Sequence, residues 1–190
     1  FAVLLKNIAK GTDQLITLEQ EIELLDEYCT IQKYRSGGLF NISYYFDDPQ
    51  YKNCKIIKFT LQPIVENAIF HGIEPKGGGN IDISVTRPSK DILQISVKDD
   101  GVGMDEEQIK ALMEDRNQKS KRFNNIGIKN VDERLKLTFG EIYGVKVESK
   151  PGKYTNVSIT LPFHLETSRN EPPLIKKKTL EDHKGFKTNK

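Results

Sequence analysis

The chain has 190 residues, of which 36% are hydrophobic and 29% are charged, and its net charge at neutral pH is only +2. This composition is sufficient for one well-sized core, and it gives no sign of a surface suited to nucleic acid. The sequence contains no run of 18 or more apolar residues, so we expect no membrane span within it. Cys29 and Cys54 lack the spacing of a metal site and are expected to be buried or free thiols.

The first half of the chain predicts three helices and one strand. Residues 1–10 have the pattern of the end of a helix. A second helix begins at Thr17, which has capping-box spacing to Gln20. Apolar and polar residues alternate over 40–46, as in a half-buried strand, and a third helix runs from Pro63 to about Phe70.

The second half predicts four strands and one main helix. The strands are residues 81–86, 92–98, 145–149 and 155–161, the glycine-rich loop is 77–80, and the helix runs from Gly127 towards Gly140. A polar stretch, residues 105–125, contains only one short amphipathic piece. This order of elements predicts an α+β fold with one mixed sheet and helices on one face.

Two short segments carry polar residues where apolar ones are expected. In LQPIVENAIFHG, residues 61–72, Asn67 lies on an apolar helical face, where an amide is costly to bury unless it has a polar task. A neutral amide oxygen is a hard ligand suited to Mg²⁺, and the adjacent Glu66 could orient a metal-bound water. Taken alone, the segment is also compatible with a surface Glu and an Asn bonded to the backbone.

The second segment is DDGVG, residues 99–103, at the end of a predicted strand. The carboxylate of Asp99 could accept a hydrogen bond from an exocyclic amine such as the adenine N6. Gly101 and Gly103 would let the backbone approach a planar base, because no Cβ intervenes. The alternative is an ordinary tight turn, since Asp-Gly pairs are common in turns.

Further segments supply weaker signals. Gly127, at the start of a predicted helix, offers backbone N–H groups to phosphates, and Lys129 could add positive charge. Thr155, on the last predicted strand, has a hydroxyl that could support Asp99 from beneath. His71 either lies near the phosphates or caps carbonyls at a helix end. Each signal alone is also compatible with an ordinary turn, strand or helix end.

Together, the segments resemble the motif set of the GHKL ATPase superfamily, which includes gyrase, Hsp90, histidine kinases and MutL. ENAIFHG, DDGVGM, NIGIKN and GKYTNVSITLP look like its N, G1, G2 and last-strand boxes. LQPIVENAIFHG with IGIKNVDERLKLTFG is most similar to bacterial sensor histidine kinases of the LytS/YehU type. The resemblance covers about residues 17–162. It implies a Bergerat-type two-layer sandwich, preceded by a helical segment.

The resemblance also implies roles for particular residues. Asn67 would be the Mg²⁺ ligand and, with Glu66, catalytic, while Asp99 would accept a hydrogen bond from adenine N6. The implied ATP-binding residues are Asn67, His71, Asp99, Gly101, Gly103, Gly127, Lys129 and Thr155. Residues 105–126 would form the ATP lid, and the implied cofactors are ATP and Mg²⁺. The sequence contains no Walker loop, which such domains do not use.

Three positions depart from the family pattern. Pro63 stands where hydrolytic relatives have a general-base Glu, which favours phosphoryl transfer over ATP hydrolysis. Phe70 stands where many histidine kinases have Lys or Arg, and Asn125 stands where the G2 box often has its first Gly. The charge that faces the phosphates must then come from elsewhere, with Lys129, Arg122 and His71 as candidates.

The chain has three histidines, His71, His164 and His183, and none lies on a helix before Thr17. We therefore expect the phosphoacceptor His in a segment absent from this chain, so that the chain alone does not phosphorylate itself. The predicted division is 1–16, the end of a dimerisation-region helix; 17–163, the catalytic domain; and 164–190, a basic flexible tail. Within the tail, residues 166–190 carry seven Lys or Arg against four acids.

By resemblance, the partners are the phosphoacceptor region of the same protein, a response regulator and a second copy in a full-length homodimer. The location implied is the cytoplasmic side of an inner-membrane-anchored protein. A degenerate GHKL module that binds a nucleotide or a protein without phosphoryl transfer is the main alternative. A hydrolase of the gyrase or MutL kind is weakened by Pro63.

Overall fold

The structure, a computed structural model, describes residues 14–114 and 126–165. The predicted helix over residues 1–10, the lid residues 115–125, Arg122 and Asn125 among them, and the tail after Leu165 lie outside the described residues.

Seven strands and four helices follow one another in the part of the chain that the structure describes. They are β1 (Leu15–Thr17), α1 (Leu18–Arg35), β2 (Phe40–Phe46), a 3₁₀ turn (Pro49–Asn53), β3 (Lys55–Ile57), α2 (Gln62–Asn67, continued by π-helical Ala68–Ile73 and α-helical Glu74–Lys76), β4 (Gly79–Ser89), β5 (Ile92–Asp99), α3 (Glu106–Glu114), α4 (Ile126–Phe139), β6 (Gly144–Lys150) and β7 (Tyr154–Pro162). No described helix is long and apolar enough to cross a membrane.

Five of the strands form one mixed sheet in the order β2-β4-β5-β7-β6. β2 and β4 are parallel, and the other pairs are antiparallel. Ile83, Val97 and Val157 share one register position and are all buried, whereas their sequence neighbours on the other face are more exposed. The helices cover the apolar face, with residues such as Leu25 and Ile64 in the same core. The predicted α+β sandwich is therefore confirmed.

Helix α1 begins and ends as its sequence predicts. The Thr17 hydroxyl accepts a hydrogen bond from Gln20 N, and the Gln20 side chain accepts one from Thr17 N. Leu18 and Leu25 are fully buried on the inner face. Gly37 and Gly38 follow the helix with positive φ angles, and residues without a Cβ adopt these readily. The local signals therefore fix the length of α1.

Helix α2 extends beyond the predicted end at Phe70 and runs to Lys76. Ile69 and Ile73 are fully buried, so the apolar face continues past the predicted end. Pro75 has no N–H, and its ring would crowd a carbonyl one turn earlier, so the wider π turn before it relieves a conflict that ends most helices. The helix ends instead at Gly77, which has a φ of 87°.

Some short elements differ from the predictions. Ile56 and Ile57 lie outside every predicted element, but they pair with β1. Residues 79 and 80 were expected in a flexible loop, but they begin β4 and pair with β2. Residues 87–89 lie beyond the predicted strand 81–86, but they continue β4 to its end.

Residues 14–16 and 164–165, outside the predicted domain 17–163, are also bonded to residues 54–58. The predicted division into domains stays a prediction.

Candidate functional site

The C-terminal half of α2 lies directly against the end of β5. Asp99 is the last residue of β5 and is only 2% exposed, and its Oδ1 accepts a hydrogen bond from Gly101 N at 2.9 Å. A Cβ at Gly72 would lie 2.5 Å from this Oδ1, and a Cβ at Gly101 would overlap the backbone of Gly72. Val102 N donates to Gly72 O at 3.0 Å. Backbone therefore packs on backbone at this end of the site.

The Asp99 carboxyl is held where ionisation is costly. Burial raises its pKa to about 6, and the neighbouring Asp100 carboxylate acts in the same direction. Hydrogen bonding from the backbone of Gly101 and Thr155 acts in the opposite direction. The carboxylate therefore accepts backbone hydrogen bonds in buried surroundings that favour its neutral form.

Thr155 lies opposite Asp99 in the pairing of β5 with β7 and is buried. Its hydroxyl lies 3.0 Å from Ser149 Oγ. Ser149 Oγ also accepts from Met104 N at 2.7 Å and donates to Tyr154 O at 2.7 Å. Thr155 thus lies beside Asp99 while its hydroxyl contacts Ser149, and its predicted support of Asp99 stays a prediction.

Gly103 marks where the loop after Asp99 crosses the β6–β7 hairpin. Its φ is 67°, and a Cβ there would overlap Lys150 O. Gly152 N donates to Val102 O at 2.6 Å in the same crossing. The need for glycine at 101 and 103 therefore arises from close packing within the protein, which holds the loop beside Asp99.

Asn67 lies on α2 one turn before Gly72 and is 7% exposed. Among the described residues, no group is seen to hydrogen-bond its side-chain amide. No cluster of three or more His, Cys, Asp or Glu side chains in the described residues could hold a metal ion. This donor set fits Mg²⁺ only with a nucleotide, because Mg²⁺ commonly takes one or two protein oxygens and completes its shell with phosphates and water.

Glu66 faces helix α1. Its Oε1 accepts from Gln62 Nε2 at 2.9 Å. The Tyr28 hydroxyl of α1 is buried beside Glu66. Burial raises the pKa of Tyr28, and the negative charge of Glu66 raises it further. Glu66 therefore joins α1 to α2, and its predicted role with a metal-bound water stays a prediction.

The remaining predicted residues lie on α2 and α4. His71 is half-buried within α2 and does not end the helix, so the alternative of a helix-end cap is wrong. Gly127 lies in the first turn of α4, where a Cβ would lie 3.0 Å from Pro63 Cβ. Lys129 Nζ lies 3.6 Å from Glu133 Oε1, so its charge is shared with an acid one turn later.

Three residues near the site were not singled out from the sequence. Gly72 stands in the quoted motif, and its closeness to Asp99 depends on how α2 meets the sheet. Ser149 has no local signal at all. Asp100 accepts from Asn80 N at 2.9 Å and lies 3.3 Å from Lys76 Nζ, so it clamps the end of α2 to β5.

Comparison with known proteins assigns this site to a family. Residues 56–165 match the family described as histidine kinase-, DNA gyrase B-, and HSP90-like ATPase. The chain belongs to this family, which confirms the resemblance inferred from the four motifs. It is 34% identical over 163 residues to the sensor histidine kinase YesM of Bacillus subtilis, and this covers 86% of the chain and 26% of YesM.

Other relatives agree. The chain is 31% identical over 144 residues to the sensor histidine kinase/phosphatase LytS of Staphylococcus aureus, covering 75% of the chain and 24% of LytS. The fold matches the mycobacterial sensor histidine kinase MprB with a TM-score of 0.57 at 12% identity, over 81% of this chain and 99% of that one. The chain thus spans about a quarter of the length of YesM and LytS and nearly all of the MprB chain.

Proposed function

We propose that this chain is the ATP-binding catalytic domain of a sensor histidine kinase. In this proposal it presents the γ-phosphoryl group of ATP to a histidine in a segment absent from this chain. The observation that carries the proposal is the pairing of a buried amide, Asn67, with a buried carboxylate, Asp99, on α2 and β5. The two groups suit opposite ends of one nucleotide.

Asp99 would accept a hydrogen bond from the adenine amino group, and guanine, which has a carbonyl at this position, would be disfavoured. Gly72 and Gly101 support this role because they let α2 and the loop approach Asp99 closely. Thr155 lies opposite Asp99 on β7, and its hydroxyl contacts Ser149. The protein's contribution at this end is to bind and orient the base.

Asn67 would hold Mg²⁺ together with the phosphates. The ion would neutralise part of the charge that develops during phosphoryl transfer. The first-turn N–H groups of α4, near Gly127, would contribute backbone donors for the phosphates. Lys129 would contribute charge after leaving Glu133, and residues 105–126 would form the lid. Pro63 supplies no proton acceptor, which favours transfer over hydrolysis.

The test is calorimetric titration with a non-hydrolysable ATP analogue, with and without Mg²⁺. We expect binding that Mg²⁺ strengthens, and weaker binding of the matching GTP analogue. Equal affinity for the two nucleotides would contradict the role of Asp99, and the absence of any binding would contradict the proposal itself.

Asn67→Ala tests the metal role. We expect it to remove the effect of Mg²⁺ on analogue affinity, because the other described residues near the site offer no carboxylate cluster to replace it. Asn53→Ala, at an exposed position on the 3₁₀ turn, is the matched control and should bind as the wild type does. An unchanged response to Mg²⁺ in Asn67→Ala would rule out the metal role.

A non-catalytic module is the second candidate, favoured by the uncharged Phe70. Restoring the upstream sequence of the gene and testing autophosphorylation with radiolabelled ATP separates the two. Label on a histidine outside this chain supports the kinase, and nucleotide binding without label supports the module. We further propose a response regulator as the recipient of the phosphoryl group, a homodimeric full-length protein, and a place on the cytoplasmic side of a membrane anchor.

A further inference from the structure

Helix α1 runs beside α2 and contacts it at successive levels. Near its start, the buried Glu21 carboxylate accepts hydrogen bonds from Phe59 N and Leu61 N, both at 2.9 Å, just before α2. In its middle, Tyr28 lies against Glu66. At its end, Arg35 reaches α2. The two helices are therefore held in one register, and the last contact lies beside the residues that follow Asn67.

The guanidinium of Arg35 stacks over the ring of Phe70, with its central carbon 4.9 Å from the ring centroid. Phe70 follows Asn67 by three residues, so the two lie within one turn of the same helix. Phe70 is half-buried and brings no charge of its own. A cation from α1 thus lies within one helical turn of the proposed metal ligand.

The other restraint on Arg35 is weak. Arg35 NH2 lies 3.4 Å from Glu74 Oε1, and the two side chains are 59% and 35% exposed. Exposed ion pairs of this kind contribute little because water and salt screen them. By contrast, Lys76 is hydrogen-bonded to the backbone of Asp100 and paired with its carboxylate, so it is committed to closing the end of α2.

We propose that Arg35 is a phosphate-binding residue, and that its guanidinium exchanges Glu74 for the terminal phosphates of a bound nucleoside triphosphate. This inference rests on the proposed function. The contact with the Phe70 ring requires no particular N–H donor, so the guanidinium keeps its N–H groups for a carboxylate or a phosphate. Two parallel guanidinium N–H groups can bind two oxygens of one phosphate, whereas Glu74 accepts a single long contact from Arg35.

Arg35→Ala tests the proposal by calorimetry with an ATP analogue, ADP and adenosine in the presence of Mg²⁺. We expect affinity for the ATP analogue to fall about tenfold, as for the loss of a charge-assisted hydrogen bond at a solvent-exposed position. ADP should lose less, and adenosine should bind as to the wild type. Lys33→Ala is the matched control, because it removes a positive charge from the same turn of α1. The Lys33 ammonium lies over the ring of Phe40 instead of Phe70.

Two further variants separate phosphate binding from a packing role. Phe70→Lys in the Arg35→Ala background should restore most of the affinity for the ATP analogue, because it returns a cation to the same place. Glu74→Gln should strengthen binding of the analogue about twofold, because the Glu74 carboxylate no longer competes with the phosphates for Arg35. The gain is small because water and salt screen the Arg35–Glu74 pair. A loss of stability cannot produce either gain.

The outcomes distinguish this inference from the proposed function. If the wild type binds the analogue but Arg35→Ala and Lys33→Ala lower its affinity equally, the inference is wrong and the proposed function stands. The inference is also wrong if Arg35→Ala leaves the ratio of ATP-analogue to adenosine affinity unchanged. It is likewise wrong if Phe70→Lys in the Arg35→Ala background fails to recover binding. If the wild type binds no nucleotide, the proposed function itself fails.

Discussion

The two ends of the site are built in different ways. At the proposed adenine end, Asp99, Gly72 and Gly101 are held by close backbone packing and a buried hydrogen bond. At the proposed phosphate end, Asn67 is buried, but the charged side chains proposed to act there, such as Arg35 with its partner Glu74, are long and partly exposed. The first end is fixed by the fold, and the second depends on side chains that can exchange partners.

This difference indicates how tolerant each end is to substitution. A backbone contact has no rotamer with which to adjust, so one added methyl group displaces a helix or a loop. A screened ion pair can break at little cost, so its residues can be replaced or moved to a neighbouring position. We therefore expect substitutions at the adenine end to affect both stability and binding, and those at the phosphate end to affect binding alone.

The largest effect is expected for Gly101→Ala. The new Cβ would overlap the backbone of Gly72, and no side chain can move aside to relieve this. We expect the free energy of unfolding to fall by about 3 kcal/mol, and adenosine binding to be lost. Chemical denaturation and calorimetry measure the two effects. Gly140→Ala is the control, because a Cβ there meets no atom within 4 Å and only its φ of 112° is strained.

If Gly101→Ala binds adenosine with wild-type affinity, the loop beside Asp99 adjusts more readily than its packing indicates. The contrast between the two ends would then disappear. A larger loss in Gly140→Ala than in Gly101→Ala would have the same consequence.

Asp99→Asn is expected to have opposite effects on stability and binding. The folded-state pKa of Asp99, about 6, lies above the ordinary 3.8. Protonation of Asp99 therefore favours the folded state: this contribution is fully present below pH about 4 and is lost as pH rises through about 6. At pH 7.5 the neutral Asn should raise the free energy of unfolding by about 3 kcal/mol, on the scale of 1.4 kcal/mol per pKa unit.

Nucleotide affinity should change in the other direction. Asp99→Asn should weaken adenosine binding about 30-fold, because a charged acceptor is replaced by a neutral one. Wild-type affinity should rise between pH 5 and 7 as the carboxylate ionises, and the variant should lose this dependence. Asp82→Asn is the control, since Asp82 is an exposed carboxylate on β4. If Asp99→Asn were less stable than the wild type at pH 7.5, this would contradict the free-energy cost assigned to burying the ionised Asp99.

Local signals predicted the parts of the fold that have local causes. The capping box of Thr17 and the alternation of β2 were sufficient for α1 and the edge strand. The positions of Asn67 and Asp99 followed from polar residues in apolar surroundings. By contrast, β1 and β3 have only three residues each, too few to show a period. Arg35 contacts Phe70, 35 positions away, and Ser149 contacts Met104, 45 positions away, and such contacts leave no local pattern.

Ser149→Ala is expected to have the smallest effect, and it tests how far the rigid end extends. Ser149 accepts a hydrogen bond from Met104 N and donates one to Tyr154 O, so it ties the loop after Asp99 to the β6–β7 hairpin. Its loss should lower the free energy of unfolding by about 1 kcal/mol and adenosine affinity by about threefold. Affinities for adenosine and the ATP analogue should fall by the same factor, because the change acts on the base and leaves the phosphates unaffected.

Ser158→Ala, on the opposite face of β7, controls for the loss of a hydroxyl from the sheet. Thr155→Val keeps the shape of Thr155 but removes its contact with Ser149, and it should resemble Ser149→Ala in both measurements. If Thr155→Val instead weakened binding as strongly as Asp99→Asn, its hydroxyl would act on the carboxylate directly. The fixed end of the site would then include β7 as well as α2 and the loop, and the boundary between the two ends would move towards the hairpin.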